Sequence, residues 1–290
     1  MKFYRPTSLK QALKVLAGDE DARCLAGGAT LVAMMNANLI APSALVSLAA
    51  VKGLAGIAKR KNGTVAIGAM TRHQAVADSD AFDRGQAMVK EAASHIGHPA
   101  IRNMGTIGGS ISHADPAADY PTALVAVDAT VTVESAAGKR EIEASRFFTG
   151  YLETALAPGE IVVAVSIPAT PSGAASAYEK YARVQGDFAT VAAAAVVALE
   201  RGVCSFARIA VGGCAPTPVR VAAAEAKLVG SKLEPAAVAA AAAAIAAACD
   251  PIDDFRGSSA YRLAILPTIV ARAVATARQR AEQRPAEQRP

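Results

Sequence analysis

Residues 104–119 read MGTIGGSISHADPAAD, with the adjacent glycines Gly108 and Gly109 behind Thr106 and two aspartates, Asp115 and Asp119, four residues apart. Glycine loses more backbone entropy on folding than any other residue. A Gly-Gly pair therefore needs a local reason, either an unusual φ/ψ or something pressing close to the backbone. An anion lying over bare amides at a helix start is one such reason. A second stretch, LAGGATL at 25–31, has the same build, with Gly27 and Gly28 between a strand and a helix start. Each presents amide donors and a positive helix end, and two such loops can hold the two phosphates of one pyrophosphate. The same residues also make ordinary strand-to-helix turns, and type and spacing leave both readings open. Neither loop carries GxGxxG or GxxxxGK(S/T), which turns the reading away from the usual NAD and ATP sites.

Other polar residues in these stretches have plainer readings. His95, His98, His113 and Asp115 fall close enough in sequence to suggest a metal. Histidines beside a cofactor more often serve as hydrogen-bond donors, so no metal site is assigned. Asp115 precedes a proline and reads as a turn residue rather than a base. Lys180 and Arg183 are placed on the solvated side of a strand rather than against a cofactor. No GxSxG elbow and no Ser-His-Asp order stands out, so no catalytic residue is assigned.

The elements that must position these loops follow from periodicity and capping. Thr7 or Ser8 caps a helix through about Ala17, and ARCLAGG reads as a buried strand ending in glycines. Thr30 caps the helix TLVAMMNANL, which Pro42 breaks before the strand ALVSL. TVAIGAM at 64–70 is a strand, and AFDRGQAMVKEAASHIG has helical periodicity up to Gly97, with Pro99 beyond. After the quoted loop come a helix through PTALVAV and the strand ATVTVES. Two prolines and Gly173 in IPATPSGAAS (167–176) mark a linker. SAYEKYARV, TVAAAAVVALE and VCSFARIAVGG are then three strand-like runs, the last two joined by a turn at RGV, which makes the sheet antiparallel. The remainder, VRVAAAEAKLVG, the alanine run and SSAYRLAILPTIVARAVATARQR, is helical, with a kink or break expected at Pro267. The closing repeat AEQRP-AEQRP is polar and reads as a disordered tail.

Composition narrows the function classes. The 290 residues are 52% apolar but only 4% aromatic, with no tryptophan, which suggests closely packed small side chains. The net charge is +5, and Arg272, Arg278, Arg280, Arg284 and Arg289 against Glu282 and Glu287 put +3 of it in the last twenty residues. The body is nearly neutral, so no nucleic-acid partner is expected. Cys24, Cys204, Cys214 and Cys249 are widely spread, unlike a zinc site, an iron–sulfur site or a disulfide framework. The start has no apolar signal core, and the run 235–249 is shorter than the ~20 residues needed to cross a bilayer. The expectation is a soluble, reduced, cytoplasmic protein without a membrane span.

AGGATLVAMM, then HPAIRNMGTIGGSISHADPAADYP, then AYEKYARVQGDFATVAAA together resemble the FAD-binding medium subunit of molybdenum hydroxylases. That family includes the carbon monoxide dehydrogenase medium chain and the flavin domain of xanthine dehydrogenase. The resemblance runs through nearly the whole chain, including a late GSSAYR, and leaves out only the AEQRP tail. It implies an α+β architecture with the PCMH-type FAD-binding fold. Two small α/β subdomains (1–57 and 58–170) would precede a C-terminal α+β domain (175–280) with a three-stranded antiparallel sheet and helices, then a disordered tail (281–290).

The resemblance also implies non-covalent FAD, with its pyrophosphate between Ala26, Gly27, Gly28, Ala29 and Thr30 on one side and Thr106, Ile107, Gly108, Gly109 and Ser110 on the other. Asp119 would hydrogen-bond the flavin side, His113 would contact the cofactor, and Phe188 would lie against the isoalloxazine. Relatives often carry histidine or threonine where Ala29 stands, a basic residue near Asn36 or Asn38, and Gln and Arg at Ala100 and Met104. The implied partners are a small subunit with 2Fe-2S clusters and a large subunit with the molybdenum cofactor, assembled as a dimer of heterotrimers. Electrons would pass from the clusters through FAD to an external acceptor. A self-sufficient flavin oxidase of the same superfamily and a non-catalytic assembly subunit are the alternatives.

Overall fold

The computed structural model describes residues 1–283. The first unit is a parallel three-stranded sheet in the order Lys2–Tyr4, Ala44–Ser47, Arg23–Leu25. Its crossover helix Leu9–Ala17 starts at Ser8, whose hydroxyl accepts from the Gln11 amide at 3.4 Å, and it buries Ala12, Leu13 and Leu16 on one stripe. The middle strand Ala44–Ser47 is wholly buried. Arg23–Leu25 is an edge strand and stays partly exposed, which corrects the expectation of a buried strand there. The edge position leaves its end free to open into the loop at 26–30.

The second unit is an antiparallel sheet in the order Ile57–Lys59, Val65–Gly68, Ile161–Ile167, Thr130–Ser135, Gly138–Glu143. Ile161–Ile167 serves two cores. Ile161 and Val163 pack with the first unit, whereas Val162, Val165 and Ile167 pack with the second. A bulge between Val162 and Ala164 changes which face the later residues present. Helices Met88–His95, Ile107–His113 and Asp119–Ala126 cover this core, so part of the quoted stretch expected to be loop is helical.

The third unit is the expected antiparallel sheet of Ala175–Tyr181, Val191–Glu200 and Val203–Gly212, extended by a two-residue strand, Val219–Arg220. The turn between the two long strands runs through Arg201 and Gly202, at φ 54° and 81°, a pairing that matches the twist of a tight hairpin. Along Val191–Glu200, Ala192, Ala194, Val196 and Ala198 face one core, and Val191, Ala193, Ala195, Val197 and Leu199 face the other. A strand buried on both faces between helical layers explains the alanine-rich composition: small side chains let both layers approach.

Two helical expectations change. VRVAAAEAKLVG forms a helix only over Ala222–Ala226, because Val219 and Arg220 instead pair with Val211 and Ala210. Ser259–Glu282 runs as one helix through Pro267, since Leu266, Ile269, Val270, Ala273 and Val274 are held in the core against the sheet. That helix is long and apolar enough to cross a membrane by length and composition, yet its apolar face is buried here. The stretch read as a linker is tied down, with Gln86 Nε2 donating to the Pro168 carbonyl at 2.8 Å. Ala281 and Glu282 lie in the last helix, and the rest of the proposed tail, 284–290, lies outside the described residues.

Candidate functional site

A cleft of about 1120 Å³ is lined by residues from all three units: 19–31 from the first, 96–119 and 152–162 from the second, 186–188 from the third. It gathers Ala26, Gly27, Gly28, Ala29, Thr30, Thr106, Gly108, Gly109, Ser110, His113, Asp119 and Phe188 on one surface. Ile107 is the exception among the predicted contacts, because its side chain is fully buried in the second core.

The two glycine loops meet but are built differently. In the first, Gly28 adopts φ 81° and the chain turns into the helix Leu31–Asn36. Among the described residues, the amides of Ala26 to Thr30 donate no hydrogen bond. Thr30 does not cap this helix: its backbone is already helical, and its side chain makes no capping bond. Gly27 lies directly on the second loop, where a Cβ would stand 1.9 Å from the Met104 carbonyl oxygen. That contact is what fixes the spacing between the loops.

In the second loop, Thr106 is a true N-cap. Its extended backbone (φ −126°, ψ 154°) lets Oγ1 accept from the Gly109 amide at 3.1 Å. The Ile107 amide donates to Thr71 O at 3.0 Å and the Gly108 amide to Ala69 O at 2.8 Å. These amides are therefore engaged within the protein, and Gly108 is there for packing, since its Cβ would meet Ala69 Cβ at 2.6 Å. What this side offers the cleft is hydroxyl donors, Thr106 and Ser110. Among the described residues, Arg23 is the one arginine in the lining, and no lysine is part of it.

At the other end, Asp119 opens the helix Asp119–Ala126 and is 4% exposed. Tyr178 Oη donates to its Oδ1 at 2.9 Å and Lys180 Nζ to its Oδ2 at 3.0 Å. Lys180 is thus buried against Asp119, not solvated as expected, and it also donates to the His95 carbonyl at 3.2 Å. Strand Ala175–Tyr181 brings Tyr178 and Lys180 to the same side of the chain, two residues apart. Burial raises the Asp119 carboxyl above its ordinary range, with Lys180 and Tyr178 pulling it back down. His113 is lowered by burial, with Asp115 opposing. Asp115 is the turn residue expected, accepting from the Ala117 amide at 2.8 Å. Phe188 stands 38% exposed at the rim, with the Arg256 guanidinium 5.2 Å from its ring centre.

Sequence reasoning missed His73. It lies in the helix His73–Ala77, is 4% exposed, and lines the cleft beneath the second loop. Its amide donates to Gly105 O at 3.1 Å, and its Nδ1 lies 3.3 Å from Tyr120 Oη. Burial, and secondarily the charge of Arg102, lower its pKa to about 4. Its position far from both glycine motifs in sequence left no local signal.

The donor set suits a dinucleotide: a large cleft, amides at 26–30 that donate no hydrogen bond, threonine and serine in the same lining, and a glycine at the contact between the two loops. Comparisons with known proteins place nearly the whole chain beside flavoproteins. The family "FAD binding domain in molybdopterin dehydrogenase" matches residues 1–170, and "CO dehydrogenase flavoprotein C-terminal domain" matches residues 176–277. A 6-hydroxypseudooxynicotine dehydrogenase complex subunit alpha from Paenarthrobacter nicotinovorans is 41% identical, over 94% of this chain and 93% of the relative. A carbon monoxide dehydrogenase medium chain from Afipia carboxidovorans is 38% identical, over 97% of each. The solved carbon monoxide dehydrogenase from Hydrogenophaga pseudoflava, lacking the Mo-pyranopterin moiety, superimposes with TM-score 0.93 at 38% identity, over 97% of this chain and 98% of that one.

Proposed function

The chain belongs to the family of FAD-binding medium subunits of molybdenum hydroxylases, and on that premise we propose that its cleft carries electrons from a partner's 2Fe-2S clusters to an external acceptor. The observation that carries the reading is the cleft itself, whose lining brings the 26–30 loop, with amides that donate no hydrogen bond, together with Thr106 and Ser110. Bound FAD supplies the redox chemistry, and the protein supplies binding, orientation and exclusion of water.

In this reading the amides of Ala26 to Thr30 hold the pyrophosphate, with Thr106 and Ser110 donating from the opposite wall. With Arg23 the one arginine among the described lining residues, neutral donors do most of that work. Asp119, His113 and Phe188 bound the flavin end, where the buried Lys180 keeps the Asp119 carboxylate paired. Units 1–57, 58–170 and 175–280 divide the task, two gripping the cofactor and the third closing the rim. The partners are a small iron–sulfur subunit and a large molybdenum subunit in a cytoplasmic complex. Substrate choice belongs to the large subunit, as the spread of relatives suggests: they are named for nicotine, carbon monoxide, glyceraldehyde and caffeine.

The test uses the complex purified from its own cells, screened anaerobically against those compounds. With a reducing substrate in hand, a complex stripped of FAD should still bleach its iron–sulfur bands but no longer reduce an external dye. Undiminished dye reduction without FAD would overturn the routing.

A further inference from the structure

We propose that His73 is a hydrogen-bond donor to a phosphate oxygen of the bound dinucleotide, through an Nε2–H whose tautomer Tyr120 sets. The proposal rests on the FAD reading above. Its starting point is the buried Tyr120 hydroxyl, which is fully enclosed and lies 3.3 Å from His73 Nδ1. Its O–H must donate, because a buried hydroxyl proton without an acceptor is costly. Among the described residues Nδ1 of His73 is the acceptor within reach.

A neutral imidazole that accepts at Nδ1 carries its proton at Nε2. The ring is neutral at pH 7, since burial and Arg102 lower its pKa to about 4. Nε2 has no protein partner among the described residues, yet it is not a buried unsatisfied atom, and the ring lines the cleft.

The local build supports a positioned donor. Gly105 lies so close that a Cβ there would stand 2.5 Å from Nε2, so glycine is what allows the ring to lie under the loop. The same segment, Met104–Gly105, is the surface on which Gly27 packs. His73 therefore sits where the two glycine walls meet, on the side whose amides at Ile107 and Gly108 are already engaged. A fixed N–H at this junction supplies a donor that the second loop's backbone does not.

The experiment measures FAD affinity on the intact complex after FAD has been stripped, by titrating FAD and following quenching of its fluorescence. His73→Met keeps the apolar bulk and removes the donor, and it should weaken FAD binding about tenfold, the scale of one hydrogen bond to a charged group. His73→Gln places an amide N–H near the Nε2 position and should restore affinity to within about threefold. Tyr120→Phe should give an intermediate loss, and nitrogen-15 spectra of the labelled imidazole should change from one tautomer to a mixture. Met binding as tightly as wild type, or Gln binding as weakly as Met, would overturn the proposal. If the Met variant does not assemble, an unchanged tautomer and affinity in Tyr120→Phe would overturn it equally. A wild-type complex that takes up no FAD removes the parent reading, whereas wild-type uptake without a His73 effect removes this inference alone.

Discussion

The loops at 26–30 and 106–110 share a Gly-Gly pair and a nearby threonine, yet they do different work. The first leaves its amides unpaired and uses Gly27 to lie against the Met104 carbonyl. The second closes its own amides onto Thr71 O, Ala69 O and Thr106 Oγ1, and uses Gly108 to approach the strand beneath. Paired glycines thus mark close backbone approach in both places, but only one loop offers bare amides to a ligand. The other offers side-chain donors, Thr106 and Ser110, with the His73 ring from the helix His73–Ala77 beneath it. Identical motifs do not imply identical chemistry; the hydrogen-bond partners decide.

Substitutions can break this contrast, beginning with the largest effect. Gly27→Ala would drive a Cβ into the Met104 carbonyl, which only backbone separation relieves. It should cost about 3 kcal/mol or more, and the purified complex should retain less than about a tenth of its flavin. Thermal unfolding and flavin absorbance check both. Normal flavin content in this variant would show that the two walls need not touch.

The His73 imidazole comes next. Its pKa falls from 6.5 to about 4 on folding, so between those values the unfolded chain binds a proton that the folded chain does not. Stability should therefore fall as pH drops from about 6.5 toward 4, by on the order of 3 kcal/mol over the window. Denaturant unfolding across that range should show a clearly shallower slope in His73→Met than in the wild type, the remainder coming from groups such as His113.

Gly108→Ala should destabilise by about 1–3 kcal/mol through overpacking on Ala69, with any loss of flavin following from that strain. Gly109→Ala is the sharpest contrast. Its Cβ would meet Thr106 Oγ1 at 3.1 Å and Ala26 Cβ at 3.7 Å, contacts a side chain can relieve. Helix propensity favours alanine by up to about 1 kcal/mol, so stability should hold or rise slightly. A methyl on the cleft wall should still lower FAD affinity several-fold. Calorimetry paired with FAD titration separates the two effects.

Much of this was legible in the sequence where local chemistry decides. Ser8 announced its helix, the Arg201–Gly202 turn its hairpin, and Asp115 its turn. The cleft residues were legible through resemblance, and all but the Ile107 side chain came together. What was not legible depended on distant partners. Pro267 continues a helix because its neighbours are held in a core, and Val219–Arg220 leave a helical pattern to extend a sheet. Lys180 is buried because Asp119, far back in sequence, waits for it. His73 becomes a candidate only when Tyr120 and Gly105 are seen around it. Periodicity reports which face is apolar; it does not report which polar groups meet.

The central claim is that this cleft holds FAD without a covalent link. The direct measurement is the visible spectrum of the native complex, followed by denaturation and separation of protein from supernatant. The account predicts flavin bands and about one FAD per copy of this chain, all of it released to the supernatant. A complex with no flavin that takes up none when FAD is added would contradict it, as would flavin that stays with the denatured chain.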